Sequence, residues 1–253
     1  MQVSYFLLKK SDKISKSVIP VLALLCFLFV FSSCEGQEGN KSAIYTYQNG
    51  DPNGTGKWYM GREIAYVMGF QGMYWLNRPE REAEENTSTL IRNMQIKKGE
   101  VIADIGAGSG YHVFKMATLV PDGLVYAVDI QEEMLAAIRK RKEQEGIGNI
   151  RLIQGTEQSS ELPENTIDKV LMVDVYHEFT YPMEMMASIK KALRPGGSVY
   201  LIEYRGEDPS VPIKILHKMT EQQAVKEMAA AGMVLVENIK NLPWQHCMVF
   251  KVK

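Results

Sequence analysis

This 253-residue sequence has few cysteines and almost no net charge. Of its three cysteines only Cys34 and Cys247 lie beyond the first 33 residues. If Cys34 carries a lipid, no intramolecular disulfide can form, and there is no cysteine-based metal site. The formal net charge is -1, and no basic run of the kind that follows a phosphate backbone occurs. These absences argue against nucleic acid as a partner, and the composition suits one ordinary globular domain.

A long hydrophobic run is also missing. The apolar run at residues 18–31 spans roughly 21 Å as a helix, short of the ~30 Å that a bilayer core requires. Lysines precede this run and Ser32-Ser33-Cys34 follows it, which is the pattern of a signal peptide. Phe31 to Cys34 resembles a lipobox, although leucine is more usual than Phe31. We predict a signal peptide over residues 1–33, lipidation of Cys34 and a location in the cell envelope. An uncleaved anchor in the inner membrane is the alternative.

After the predicted signal peptide, the sequence predicts a flexible tether followed by helices. Residues 34–58 are rich in glycine, asparagine, glutamine and serine, which is typical of a flexible linker. Apolar residues at helical spacing predict helices over 59–76 and 81–94, and we expect residues 59–98 to form a helical lid. The folded domain is predicted to cover residues 59–253.

From residue 101 onward, short apolar runs alternate with helical segments. This alternation predicts an α/β fold whose parallel sheet has helices on both faces. The predicted strands cover 101–105, 124–130, 150–154, 170–175 and 198–204, and the helices between them cover 111–120, 132–145 and 183–193. A capping box at Thr220 and Gln223 opens another helix, and strands at 233–240 and 247–252 complete the chain.

A glycine-rich turn follows the first of these strands. The segment Asp104 to Gly110 reads Asp-Ile-Gly-Ala-Gly-Ser-Gly and precedes a helix whose free N–H groups suit an anionic ligand group. Asp129 ends the second strand, where a carboxylate can bind both ribose hydroxyls. A NAD or FAD site would have the spacing Gly-x-Gly-x-x-Gly, which this turn lacks. An acid at Asp104 suits a ligand that carries a positively charged amino group.

Three landmarks on these residues resemble the class I S-adenosylmethionine (SAM)-dependent methyltransferases. Asp104–Gly110 looks like their motif I, Tyr126–Ile130 resembles their second motif, and Leu193–Gly197 resembles the turn before their fifth strand. The resemblance covers about residues 60–253 and is nearest to the small-molecule branch, similar to quinone-biosynthesis methyltransferases. It implies a Rossmann-like fold with a seven-stranded, mostly parallel sheet in the order 3-2-1-4-5-7-6, an N-terminal helical lid, and SAM as the cofactor.

The resemblance also implies a set of cofactor-binding residues. Many relatives have an acid directly after the glycine that ends the third strand, where it meets the adenine amino group. Here Thr156 follows Gly155, so Glu157 or Gln158 is expected to take that role. The predicted cofactor contacts are Asp104, Gly106, Ala107, Gly108, Gly110, Asp129, Ile130, Gln131, Thr156, Glu157 and Asp174.

Polar residues at the ends of the fourth and fifth strands are the candidates for chemistry. We predict His177 as general base because its ordinary pKa lies near working pH, with Asp174 and Glu203 beside it. The alternative for His177 is a structural cap, and that for Glu203 is an ion pair with Arg205. Residues predicted to contact substrate are Trp75, Arg78, Arg81, Tyr176, Arg205, His217 and His246. His177, His217 and His246 with Asp174, Glu178 and Glu203 have no typical metal-ligand spacing, so no metal is predicted.

The function predicted from these residues is methyl transfer from SAM to a small-molecule or lipid-like acceptor. The membrane would be a partner through the lipid on Cys34, and the sequence indicates no protein partner. A non-catalytic envelope lipoprotein that binds SAM or a related nucleoside is the alternative. A nicotinamide-dependent enzyme is a third possibility, which the glycine spacing disfavours.

Overall fold

The computed structural model describes residues 44–253. The predicted signal peptide, Cys34 and the first part of the predicted tether lie outside these residues, so the envelope location stays a prediction. Among residues 44–253, no helix has the length and hydrophobicity needed to cross a bilayer.

A small antiparallel sheet stands at the start of the described chain. It consists of β1 (Tyr45–Tyr47), β2 (Gly54–Tyr59) and β3 (Arg62–Ala65), in that order. The tether predicted to continue to residue 58 and the helix predicted over 59–76 are therefore wrong in this region. Met60 and Gly61 have positive φ angles of 50° and 93°, as a two-residue hairpin turn requires. The apolar residues of this hairpin also fit a helical spacing, which explains the error.

The predicted lid is only partly helical. After a 3-10 turn at Phe70–Gly72 come three short helices, α1 (Met73–Leu76), α2 (Arg81–Glu85) and α3 (Thr87–Asn93). The single helix predicted over 81–94 is broken at Asn86, whose φ of 51° is left-handed. The Asn86 side chain accepts a hydrogen bond from the N–H of Thr89 at 3.3 Å and so caps α3.

The central sheet confirms the predicted topology. Its seven strands lie in the order β6-β5-β4-β7-β8-β10-β9, which is 3-2-1-4-5-7-6 when the strands are counted from β4. β10 is antiparallel to both of its neighbours, and the other pairs are parallel. The strands are β4 (Val101–Ile105), β5 (Leu124–Asp129), β6 (Ile150–Gln154), β7 (Ile167–Val173), β8 (Leu193–Tyr204), β9 (Met233–Asn238) and β10 (Gln245–Val252).

Helices and an apolar core cover both faces of this sheet. The helices are α4 (Tyr111–Leu119), α5 (Glu132–Glu145), α6 (Pro182–Ala192) and α7 (Glu221–Ala230). Thr220 caps α7 as predicted, since its Oγ1 accepts from the N–H of Gln223 at 3.1 Å. Along β4, Ile102 belongs to one buried apolar cluster and Ala103 to the other, because successive side chains point to opposite faces.

The sheet brings the functional segments together at one edge. β4 pairs in parallel with β5 and β7, and β7 pairs in parallel with β8, so the carboxyl ends of all four strands lie side by side. The glycine turn follows β4, Asp129 ends β5, and Asp174 follows β7. Ligands of open α/β sheets bind outside these strand ends.

Candidate active site

Two glycines of the turn after β4 have a left-handed backbone conformation. Gly106 and Gly108 have φ angles of 70° and 53°, in the left-handed region that favours glycine. A Cβ atom on Gly106 would lie 2.4 Å from Cγ2 of Val175, which no side chain can tolerate. The N–H of Gly108 donates to Oδ2 of Asp129 at 2.9 Å, so the turn after β4 is fixed to the end of β5.

Asp129 is fixed at the edge of the sheet by backbone hydrogen bonds, and its carboxylate oxygens can accept further ones. Its Oδ1 accepts from the N–H of Gln131 at 2.9 Å, so each carboxylate oxygen has one backbone donor and can accept another. Burial raises the pKa of Asp129, although the backbone bonds from Gln131 and Gly108 act to lower it. The Gln131 side chain binds the lid: its Nε2 donates to the Met68 carbonyl at 3.0 Å, and its Oε1 accepts from the N–H of Phe70 at 2.8 Å.

Asp104 lies beneath the glycine turn. Only 2% of it is exposed, and its Oδ2 has no hydrogen-bond partner among residues 44–253. Burial raises the pKa of this carboxyl to about 8, although the charge of Arg81 acts to lower it. An unpartnered buried carboxyl next to the glycine turn fits a ligand that brings a positive charge to this place.

Replacing Asp104 by asparagine is expected to stabilise the free protein more at high pH than at low pH. Because the folded pKa is about 8 against an ordinary value of 3.8, the stability that neutral Asp104 supports is lost as pH rises between these values. Asparagine stays neutral, so the variant should gain about 2 kcal/mol or more over the natural protein between pH 5 and pH 9. Urea unfolding at both pH values measures the difference. Asp122→Asn, at an exposed loop position, is the control, and a difference that does not change with pH would refute the assignment.

A cavity of about 640 Å³ opens at this edge of the sheet, a size typical of small-molecule sites. It is largely apolar, and a few polar side chains converge on it. Of the residues predicted from sequence, it is lined by Trp75, Arg78, Arg81, Gly106, Gly108, Asp129, Ile130, Gln131, Thr156, Glu157, Asp174, His177 and His217. Asp104, Ala107 and Gly110 lie in or beneath the turn and do not line the cavity.

Asp174 enters the cavity from the end of β7 in a strained conformation. Its φ is 51°, which is uncommon for a residue other than glycine and often marks functional sites. Gln245 Nε2 donates to Oδ2 at 2.6 Å, whereas Oδ1 is buried and meets no hydrogen-bonding group of the described chain. Burial, together with the charges of Glu85 and Glu203, raises the pKa of Asp174 well above its ordinary value. A neutral Asp174 can donate a hydrogen bond into the cavity.

The centre of the site is a chain of three polar side chains. Glu203 Oε2 lies 2.6 Å from Nδ1 of His177, and His177 Nε2 lies 3.0 Å from Nδ1 of His217. Glu203 is fully buried, and its Oε1 accepts from the N–H groups of Tyr176 at 2.9 Å and His177 at 3.3 Å. Burial alone would lower the pKa of His177, but the charge and hydrogen bond of Glu203 outweigh it and raise that pKa. His177 and His217 both line the cavity.

The two predicted lid arginines are held by a glutamate that was not among the residues predicted from sequence. Glu85 accepts from Nη2 of Arg78 at 2.6 Å, from Nε of Arg81 at 2.7 Å and from the hydroxyl of Tyr204 at 3.0 Å. The Arg78 guanidinium also stacks 3.7 Å from the ring of Trp75. Arg78 and Arg81 therefore fix the wall of the cavity. A signal was available, since Arg81 and Glu85 have the i, i+4 spacing of a helical ion pair.

Four predicted roles must be corrected. Glu203 does not line the cavity and is not paired with Arg205, because it holds the turn of His177 instead. The Arg205 guanidinium donates to the carbonyls of Leu242 and Pro243, in the loop before β10. Tyr176 is fully buried outside the cavity. His246 lies 2.9 Å from Glu207 and also does not line the cavity.

Comparison with known families agrees with this geometry. Residues 96–248 match the family model described as "Methyltransferase domain", which is more than half of the chain. The chain belongs to this methyltransferase family. The family match and the seven-stranded fold identify it as a class I SAM-dependent methyltransferase. The unpartnered Asp104 oxygen, the two glycines and the free lone pairs of Asp129 fit SAM.

Several bacterial methyltransferases are similar to this protein in sequence. It is 30% identical over 142 residues to "Uncharacterized methyltransferase YdaC" of Bacillus subtilis, which is 56% of this chain and 76% of that protein. It is 24% identical over 150 residues to the "Ubiquinone/menaquinone biosynthesis C-methyltransferase UbiE" of Marinomonas, which is 58% of either chain. It is also 27% identical over 115 residues to the "Demethylmenaquinone methyltransferase" of Geobacillus kaustophilus. That match covers 45% of this chain and 49% of the relative.

Among solved structures, a SAM-dependent methyltransferase from Aquifex aeolicus has a similar fold. The TM-score is 0.69 at 20% sequence identity, and the match covers 74% of this chain and all of that chain. The protein known as YcgJ of Bacillus subtilis matches with a TM-score of 0.52 at 19% identity, over 60% of this chain and 69% of that chain. These likenesses establish the fold of the methyltransferase.

Proposed function

We propose that the protein transfers a methyl group from SAM to a small hydroxylated aromatic acceptor with an apolar tail, of the quinol type. The observation that carries this proposal is one cavity that joins the glycine turn and Asp129 to His177 and His217. The first pair of features suits the cofactor, and the two histidines suit an acceptor that must lose a proton. The names of the quinone-biosynthesis relatives support the acceptor class.

The walls of the cavity also support an acceptor of this kind. Val67, Tyr74 and Trp75 line it, and each leaves at least 40% of its surface exposed. An apolar rim at the mouth of a cavity favours a ligand with a hydrophobic part that extends outward. Asp129, Asp174 and His177 lie at or just after the strand ends, so an acceptor placed there would meet hydrogen-bonding groups at one end and the apolar side chains of Val67, Tyr74 and Trp75 at the other.

The residues of the chain can serve the transfer in separate ways. SAM supplies a methyl group activated on a sulfonium. Asp129 would hold the ribose hydroxyls, and Asp104, beneath the glycine turn, would favour the positively charged amino group without lining the cavity. Asp174 donates a hydrogen bond from Oδ1 to an acceptor oxygen. The His177–His217 pair withdraws the proton that the acceptor must lose, and Glu203 orients His177 for this task.

Replacing Asp129 by alanine is expected to weaken SAM binding about 100-fold. The variant loses charge-assisted hydrogen bonds to the ribose, which contribute about 3 kcal/mol together. Calorimetric titration of the purified full-length protein with SAM, S-adenosylhomocysteine and NAD measures the change. Asp122→Ala, on an exposed loop, is the control and should bind SAM like the natural protein. Binding of NAD without SAM would contradict the proposal.

The acceptor class is tested by incubation with SAM and a short-chain demethylmenaquinol. Formation of S-adenosylhomocysteine together with the methylated quinol supports the proposal. SAM binding without turnover on any hydroxylated aromatic would instead favour the alternative of a non-catalytic SAM-binding protein.

A further inference from the structure

Two histidines and a glutamate point ligand atoms at one place in the wall of the cavity. His177 Nε2 lies 3.0 Å from His217 Nδ1 and 3.8 Å from Glu178 Oε1, and His217 Nδ1 lies 3.5 Å from the same Oε1. A point equidistant from three atoms with these separations lies roughly 2 Å from each, the bond length of zinc to imidazole nitrogen or carboxylate oxygen. Within residues 44–253, this is the group of three potential ligand residues that meets at such distances.

From this convergence we propose that His177, His217 and Glu178 bind one divalent first-row metal ion. Two imidazoles and one carboxylate form the ligand set of many zinc and non-haem iron sites, in which further positions stay open for water or substrate. All three residues line the cavity. The open positions of the ion therefore face the space that the acceptor would occupy.

The groups behind these ligands have the arrangement that metal sites require. Glu203 faces Nδ1 of His177 at 2.6 Å, which makes Nδ1 the protonated nitrogen and leaves the lone pair of Nε2 for an ion. Glu178 is oriented in a similar way, because its Oε2 accepts from the N–H of Met68 at 3.2 Å and leaves Oε1 free. A carboxylate behind a metal-binding histidine is a recurrent feature of metal sites.

The local charges also favour a cation. Glu178 and Glu203 bring two negative charges to the cluster. Nη1 of the nearby Arg62 donates to the main-chain carbonyl of His177 at 3.0 Å. The positive charge of Arg62 is already paired with Glu227. A divalent ion would balance the two carboxylates, whereas a hydrogen-bonded histidine pair would leave them unbalanced.

The proposed ion would activate the acceptor of the methyl group. This part of the inference rests on the proposed function, whereas metal binding itself does not. An acceptor oxygen bound to the ion would lose its proton more easily, because the positive charge stabilises the oxyanion. The favoured acceptors are therefore phenols, enols or catechol-like quinols, whose oxygen can enter an open coordination position.

The test measures metal binding directly. The full-length protein is stripped with a chelator and titrated with Zn²⁺ and with Co²⁺ in separate calorimetric experiments, and Co²⁺ is also followed by its visible absorption. We expect one ion per chain with micromolar or tighter affinity. His217→Ala and Glu178→Gln should each weaken binding at least about 100-fold, and Glu203→Gln about 10- to 100-fold. His246→Gln is the matched control, since His246 also faces a glutamate but lies outside the cavity.

Loss of fold and loss of the site can be distinguished. His217 is partly exposed, so its alanine variant should fold and keep its affinity for SAM. Less than one ion per ten chains, or equal affinity in the natural protein and the His217→Ala variant, would overturn the proposal. Metal binding without turnover of demethylmenaquinol would count against the proposed acceptor and leave the metal site standing. SAM binding and turnover without any metal would overturn the metal site alone.

Discussion

Replacing Glu203 by glutamine is expected to lower kcat for methyl transfer about 10³-fold and to leave the Kd for SAM unchanged. The Glu203 Oε1 atom accepts from the backbone N–H groups of Tyr176 and His177, so an amide there must keep its oxygen on that side. Its NH₂ group then faces Nδ1 of His177 and forces that nitrogen to accept instead of donate. His177 would then favour the tautomer with a protonated Nε2, which it must give up before that nitrogen can take a proton or bind an ion.

Single-turnover measurement of S-adenosylhomocysteine release with demethylmenaquinol, beside calorimetric titration of SAM, separates the two quantities. Glu237→Gln, on the exposed side of β9, is the control and should change neither value. A structural role for Glu203 alone would lower the melting temperature and weaken SAM binding while leaving kcat of the folded fraction unchanged. That outcome would contradict the role proposed for His177.

Replacing Glu227 by alanine is expected to destabilise the protein by about 3–5 kcal/mol. Glu227 on α7 is fully buried and binds Arg62 on β3 through two parallel bonds, both of 2.9 Å. Without Glu227, the charge of Arg62 stays buried and uncompensated. Denaturant unfolding of the natural protein and the variant measures the loss.

An exposed ion pair provides the matched control for this prediction. Arg141 and Glu145 lie 2.7 Å apart on α5 with nearly half of each side chain exposed, so Glu145→Ala should cost only a few tenths of a kcal/mol. Replacing Arg62 and Glu227 together by leucine should recover most of the stability, because no unpaired charge remains. Equal effects of Glu227→Ala and Glu145→Ala would show that the small sheet does not depend on the buried pair.

The position of the predicted cofactor residues at one edge of the sheet could be predicted from the sequence to a large extent. Asp104, Gly106, Gly108 and Asp129 belong to two short segments whose residue types and spacing are fixed by the backbone turn and by the ligand. Their chemistry is local, so it can be recognised without knowledge of distant contacts. The alternation of strands and helices from residue 101 to residue 252 is local in the same sense, and the structure confirms it.

The N-terminal region shows where local pattern failed. Residues 54–65 form a hairpin although their composition indicated a linker and their apolar spacing indicated a helix. The Glu63 carboxylate on β3 accepts from the N–H groups of Asp51 at 2.8 Å and Gly56 at 3.0 Å, and so binds β3 to the loop before β2 and to β2 itself. A hydrogen bond of this kind produces no periodic pattern of apolar residues, so the sequence pattern does not predict it.

The sequence by itself determined the order of strands and helices, the glycine turn and the acid that ends β5, because each depends on neighbours along the chain. Only the tertiary structure decided which side chains contact His177. Glu203 is 26 residues away and His217 is 40 residues away, and both reach His177 because parallel strands carry their ends to one edge of the sheet. The buried pair of Arg62 and Glu227 joins residues 165 positions apart. Contacts of this kind follow from the packing of whole elements, which residue spacing does not specify.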